Sequence, residues 1–270
     1  MLKKLWTILR TVLSSAGDIR TLVFMKLLSV IHRSVRRMSS TIVDWLTIDT
    51  PMNNVVQVLE GPSVACHAKR AATALVSGHV IALPTDTLYG IAALAQNNTA
   101  VENIYKIKKR NSTKPLAICV AEVADVYHWG KVTVPHSLLN SLLPGPVTLI
   151  FQRTSLLNSA LNPGTDLVGI RIPDEEFIRT VVRYCGSPIA LTSANISTKD
   201  SPLCVEEFSE LWDKLHCVYD SGRIGEQTEC REGSTIIDLS QTGSYRLVRR
   251  GIAYEHTTKV LQEFKLTLID

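Results

Sequence analysis

The sequence predicts a single-domain α/β fold: a twisted sheet of mixed parallel and antiparallel strands, flanked by helices. Three observations predict it. Short apolar runs ended by Pro, Gly or small polar residues alternate with segments of helical period. The link from Phe151 to Leu167 is rich in Asn, Pro and Gly without helical period, so it is no right-handed crossover and part of the sheet runs antiparallel. Of 270 residues, 45% are hydrophobic and 20% charged, which suffices for one sizeable core.

The elements follow in chain order. Gly61-Pro62 opens a helix running to Val76, with Pro62 suited to the first turn and Gly78 to the stop. Val80–Leu83 is a short buried strand ended by Pro84. Thr99-Ala100-Val101-Glu102 has capping-box spacing and starts a helix with Val101, Ile104, Tyr105 and Ile107 on one side. Lys108 and Arg110 fall at its C-terminus, where cations suit the helix dipole. Leu116–Val120 is a strand, and Pro135–Leu143 is a helix stopped by Pro144-Gly145-Pro146. Val147–Phe151 and Leu167–Ile172 are strands. Asp174–Tyr184 is a helix with three acids in its first turn and Gly186 after it. Ile189–Leu191 is a strand running into Thr192, Val205–Leu215 is helical, and Ser234–Leu239 and Tyr245–Val248 are late strands. The segment 221–233, rich in Gly, Glu and Arg, reads as a mobile loop.

Charge is unevenly placed. Residues 1–40 hold eight of the 29 basic residues and one of the 25 acids, which leaves 21 basic against 24 acidic residues beyond, a net of −3. The basic excess thus belongs to a leader, residues 1–54, and not to the body. Its Leu2, Leu5, Trp6, Ile8, Leu9, Val12 and Leu13 interspersed with Lys and Arg have the make-up of a mitochondrial targeting segment. The expected locations are cytoplasm and mitochondrion, with chains begun at Met25 or Met38 staying in the cytosol. The leader is also compatible with peripheral membrane contact as an amphipathic helix. The six cysteines show no C-x-x-C spacing and read as buried, reduced thiols; the seven histidines show no H-x-x-x-H pair, so no metal cage is expected.

The chemistry concentrates at strand ends. Pro84-Thr85-Asp86-Thr87-Leu88-Tyr89-Gly90 is rich in turn formers, and its two threonines can bond a small polar ligand. Lys108-x-Arg110-x-x-x-Lys114-Pro115-Leu116 anchors three cations between a helix and a buried strand, where Arg offers a planar fork to phosphate and Lys a point charge. Gly145-Pro146-Val147-Thr148 places a hydroxyl at a strand start. Arg171 lies inside an otherwise apolar strand, so it is either salt-bridged in the core or turned to an anionic ligand. Thr192-Ser193-Ala194-Asn195 ends a strand with donors and acceptors, where open α/β sheets meet ligands, and Gly233-Ser234-Thr235 repeats the theme. No Walker A loop or G-x-G-x-x-G is present.

Together and in this order these stretches resemble the YrdC family of threonylcarbamoyl-AMP synthases over about residues 55–255, with 256–270 as a C-terminal tail. The family's K-x-R and S-x-N signatures stand at Lys108-Lys109-Arg110 and Ser193-Ala194-Asn195, and its proline–threonine turn at Thr85 and Thr87. Its G-P-[VL]-T, R-x-P and G-S-T-[IV] elements stand at Thr148, Arg171 and Ser234-Thr235. Where some microbial members carry a histidine this sequence has Cys119, and only about 20 residues follow Arg250, so their additional C-terminal domain is not expected.

The resemblance implies a mixed sheet around a basic cavity, and a reaction joining L-threonine, bicarbonate or CO2, and ATP into threonylcarbamoyl-adenylate and pyrophosphate. Mg2+ would ride on the ATP. The product would pass to a separate transferase complex that modifies tRNA, with direct tRNA binding weak or absent. In that frame Lys108 and Arg110 are the expected catalytic residues. Lys108, Arg110 and Lys114 would neutralise phosphates; Thr148, Asn195 and Ser234 would bond the nucleotide. Thr87, Arg171 and Ser193 would hold threonine, Arg171 at its carboxylate. Two rivals remain: a double-stranded RNA or tRNA-binding module using the same cavity, which the net −3 of the body disfavours, and a membrane-associated regulator acting through the leader.

Overall fold

The structure, a computed structural model, describes residues 54–58, 63–111, 113–225 and 231–269. Residues 1–53 of the leader, the Gly61-Pro62 helix start, and residues 226–230 of the 221–233 loop with Cys230 lie outside the described residues. In chain order the elements begin β1 (Val55–Gln57), α1 (Ser63–Val76), β2 (Ile81–Leu83), β3 (Gly90–Leu94), α2 (Asn98–Lys108) and β4 (Ala117–Cys119). They continue α3 (Val123–Trp129), β5 (Gly130–Lys131), α4 (His136–Leu142), β6 (Val147–Arg153), β7 (Leu167–Arg171), α5 (Glu176–Cys185) and β8 (Ile189–Ser193). A 3-10 segment (Val205–Lys214), β9 (Cys217–Asp220), β10 (Thr235–Asp238), β11 (Ser244–Arg249), α6 (Tyr254–Glu263) and β12 (Thr267–Leu268) complete the fold.

Among the described residues twelve strands form one sheet in the order β1-β9-β2-β3-β8-β4-β7-β6-β10-β11-β12, with β5 pairing the end of β6. The sheet is mixed, as expected: β4 and β7 are parallel, while β8 runs antiparallel to both β3 and β4. The Asn-, Pro- and Gly-rich link joins β6 and β7 as an antiparallel pair.

Strand residues alternate between two cores. Ala82, Ile91, Ala93, Ile118, Ile170 and Ala190 face α2, α4, α6 and the 3-10 segment. Ile81, Leu83, Ala92, Cys119, Ile189 and Leu191 face α1 and α5. Alanines at positions 68, 71, 72 and 74 of α1 let that helix lie close on the sheet. Burying each larger apolar side chain contributes roughly 1.5–3 kcal/mol before entropy is set against it.

Several elements differ from the sequence reading. Helix α2 starts at Asn98, one residue before Thr99, because the Asn97 side chain caps it by accepting the Ala100 N–H at 3.0 Å. Residues 205–214 form 3-10 turns kinked at Phe208 and not a regular α-helix. Strand β3 (Gly-Ile-Ala-Ala-Leu) hides behind a composition poor in β-branched residues. Residues from 256 on, expected as a tail, belong to the packed body: Thr257, Val260 and Leu261 of α6 are buried and β12 pairs with β11. Of the described cysteines, all free, only Cys119 is buried and Cys66 is exposed, so the expectation of buried thiols holds for one position.

Candidate active site

The turn after β2 builds one wall of a cavity of about 190 Å³. Pro84 ends the strand because it has no N–H to give the ladder. Thr85 then closes the turn on itself. Its Oγ1 accepts from the Thr87 and Leu88 amides at 3.1 and 3.2 Å and donates to the Leu88 carbonyl at 2.8 Å. The Thr85 and Thr87 hydroxyls lie 3.2 Å apart, both buried, and both residues line the cavity.

Arg171, at the end of β7, lies against this turn. It is 8% exposed. Its Nη2 donates to Asp86 Oδ1 and, at 2.8 Å, to Thr87 Oγ1. The two alternatives for this arginine are therefore combined: it is ion-paired in the core and it lines the cavity. Its Nε is buried without a partner. Cys119, its neighbour across the β4–β7 pair, also lines the cavity. Burial pushes the Cys119 thiol up to about 12 against the pull of Arg171, so it stays protonated and unreactive at neutral pH.

Lys108 lies behind the cavity wall. It is 1% exposed and stands apart from the cavity wall. Its ammonium donates to the carbonyls of Ser193 and Asn195 and, at 3.2 Å, to Asn195 Oδ1. Burial lowers its pKa to about 7, with Arg110 adding to the effect. With its three donors so engaged, Lys108 makes no phosphate contact in this arrangement. It fastens α2 to the loop after β8, and Ser193 Oγ in turn donates to Asn195 Oδ1. Ser193 reaches the cavity; Asn195 and the exposed Lys114 do not.

Arg110 does line the cavity. Its guanidinium donates to the Lys114 carbonyl at 3.3 Å and the Pro115 carbonyl at 3.0 Å, which fixes it on the rim. Burial lowers its pKa, but a guanidinium stays charged at neutral pH. Across the cavity the Thr148 and Ser234 hydroxyls are 2.9 Å apart, at the starts of the parallel strands β6 and β10. Arg249 completes this corner. Its Nη2 donates to the Ser234 carbonyl at 2.7 Å and to Ser234 Oγ at 3.1 Å. Burial, then the nearby Arg171, lower its pKa. Sequence reading missed Arg249 by ending the strand at Val248; β11 extends one residue further.

Among the described residues the wall carries three arginines (Arg110, Arg171, Arg249), hydroxyls from β2, β6, β8 and β10, and no carboxylate. Such a wall suits a small anion-bearing ligand, and at about 190 Å³ it is smaller than the roughly 300–1,000 Å³ of drug-sized sites. A nucleotide must extend through the mouth. No group of three or more His, Cys, Asp or Glu side chains able to hold a metal ion occurs among the described residues.

Comparison with known proteins gives the family of the chain. Residues 73–251 match the family model Sua5_yciO_yrdC, described as telomere recombination. Curated proteins named threonylcarbamoyl-AMP synthase from Bos taurus and Homo sapiens are each 51% identical, over 202 and 199 residues. The first match covers 74% of this chain and 73% of the bovine protein, the second 73% of this chain and 71% of the human one. A solved Pyrococcus abyssi Sua5 complexed with L-threonine superposes with a TM-score of 0.71 at 29% identity, covering 80% of this chain. This chain spans 62% of that archaeal protein. Escherichia coli YciO shares the fold, with a TM-score of 0.65 at 20% identity over 74% of this chain and 97% of that one. On its sequence and its fold, the chain belongs to the Sua5/YciO/YrdC family.

Proposed function

We propose that this protein is a threonylcarbamoyl-AMP synthase acting in tRNA modification. The observation that carries the reading is the wall of three arginines and strand-end hydroxyls around one small cavity, in a chain half identical to mammalian synthases. The amine of L-threonine adds to CO2 derived from bicarbonate and gives a carbamate. A carbamate oxygen then attacks the α-phosphorus of ATP, and pyrophosphate leaves. The class is therefore nucleotidyl transfer.

The carbamate is labile, so the protein's task is to seat both partners before it decomposes. Arg171 pairs with the threonine carboxylate, while Thr87 and Ser193 bond its polar groups. Thr148 and Ser234 bond the nucleotide. Arg110 and Arg249 neutralise the charge that builds on the phosphates, the main source of rate in such transfers. Lys108 and Asn195 act from behind, by holding Ser193 in place. Lys114 meets the phosphates outside the mouth. The magnesium ion arrives on the triphosphate as part of the substrate.

Purified protein incubated with ATP, L-threonine and radiolabelled bicarbonate should yield a labelled adenylate and stoichiometric pyrophosphate. ATP consumption independent of threonine, with no labelled product, would sink the reading. The product passes to a separate tRNA-modifying transferase. Residues 1–54 direct the full-length chain to mitochondria, and late-started chains remain in the cytoplasm; a fluorescent fusion lacking 1–37 that still entered mitochondria would contradict this.

A further inference from the structure

We infer that Asp86 is a positioning residue for the amino-acid end of this site, acting through Arg171. The inference rests on the functional reading above and extends it to a residue outside the cavity wall. Asp86 lies in the turn after β2 and Arg171 at the end of β7. In the sheet order these strands are separated by β3, β8 and β4, so only the fold brings the two residues together.

The Asp86 carboxylate is used on both sides. Oδ1 accepts from Arg171 Nη2, and Oδ2 accepts the Asp174 amide at 3.0 Å in the loop between β7 and α5. It thus ties the cavity-lining turn after β2 to the loop after β7 and sets the rotation of the guanidinium between them. Both side chains of the ion pair are about nine-tenths buried. Thr87 Oγ1 accepts from the same Nη2 at 2.8 Å, so the pair also orients a hydroxyl of the wall.

The consequence is directional. With Nη2 spent on Asp86 and Thr87, the donors left on the guanidinium are Nη1 and a buried Nε without a partner. A carboxylate that enters the cavity lined by Arg171 and meets the remaining Nη1 donor gains a charge-assisted hydrogen bond. Asp86 therefore offsets part of the arginine charge and fixes which guanidinium donor is left for a carboxylate. Removing Asp86 alone would leave the arginine unpaired in its slot beside Arg249, which already feels its charge.

The test is calorimetric titration of the full-length protein with L-threonine and, separately, with ATP, alongside steady-state kinetics. D86N should weaken threonine binding at least about 10-fold, on the scale of a lost charge-assisted contact. ATP affinity should stay within about twofold, and D86E should recover part of the threonine affinity. The double variant D86L/R171M, which removes both charges together and so avoids an unpaired buried ion, should bind threonine as R171M does. D86N binding threonine as tightly as the unsubstituted protein would overturn the assignment. So would effects of D86L and R171M that multiply in the double variant, the sign of two independent contacts. An unsubstituted protein that binds threonine in the Asp86-dependent way but makes no adenylate would sink the functional reading and support this one.

Discussion

At the scale of single residues, Arg110 and Lys108 separate two uses of positive charge. Arg110 is held by main-chain carbonyls on the cavity rim and keeps its charge toward a ligand. R110A should lower the turnover of adenylate synthesis by at least about 10²-fold, the usual loss when a group facing developing charge is removed. An unchanged rate would take Arg110 out of the site. Lys108 is the opposite case, a buried cation inside a cage of oxygens. K108M should lower folding stability by about 1–3 kcal/mol for each buried acceptor left unpaired. It should also raise the KM for threonine through Ser193. A urea titration that finds no loss of stability would show that Lys108 is not a structural tie.

At the scale of elements, Glu207 in the 3-10 segment joins pieces that are far apart in sequence. Its carboxylate accepts two hydrogen bonds from Arg231, at 2.6 and 2.9 Å, and one from the Leu203 amide at 2.9 Å; Arg223 approaches to 3.5 Å. Arg231 also donates to the carbonyl of Ser201, which lines the cavity. Arg231 holds the Glu207 carboxyl down at about 2, below its ordinary 4.5. A lowered carboxylate pKa means that the folded state binds fewer protons, so its stabilisation is present above pH 4.5 and lost as pH falls toward 2. E207Q should therefore melt at a lower temperature than the unsubstituted protein at pH 7. The difference should shrink between pH 4.5 and 2. A gap of constant size across that range would show that the ionised carboxylate is not what matters.

For the whole molecule, the placement of charge decides between a nucleotide enzyme and a polyanion binder. The body beyond residue 40 is net acidic, while its cavity wall is cationic. Such a protein should bind one triphosphate through a few contacts and make no long track along nucleic acid. The logarithm of ATP affinity against the logarithm of salt should thus give a shallow slope, whereas an RNA track of six to ten phosphates would give about −5 to −9. A slope of that steepness with tRNA, at comparable affinity, would favour the RNA-binding reading. No described helix is long and apolar enough to cross a membrane.

Much of this protein was legible from its residues, because short-range chemistry is written in order. Apolar runs closed by Pro84, Pro144 and Gly186 mark where strands and helices end, and the strand-end clusters at Thr87, Thr148, Ser193 and Ser234 mark the cavity. The late strand of β11 and its Arg249 were half visible, since a basic residue closing an exposed strand looks like any solvated end. What only the tertiary structure decided is which charges meet. Lys108 and Arg110 are two residues apart, yet one is buried among carbonyls and the other faces the cavity. At the left-handed turn of Lys109 (φ 48°) the chain leaves α2, and no one-dimensional pattern shows which side faces the sheet. Asp86 reads as a turn former until β7 brings Arg171 beside it across three intervening strands. Sequence spacing determines local geometry, but partners separated by 85 positions are matched by strand order alone, and with them the fate of each buried charge.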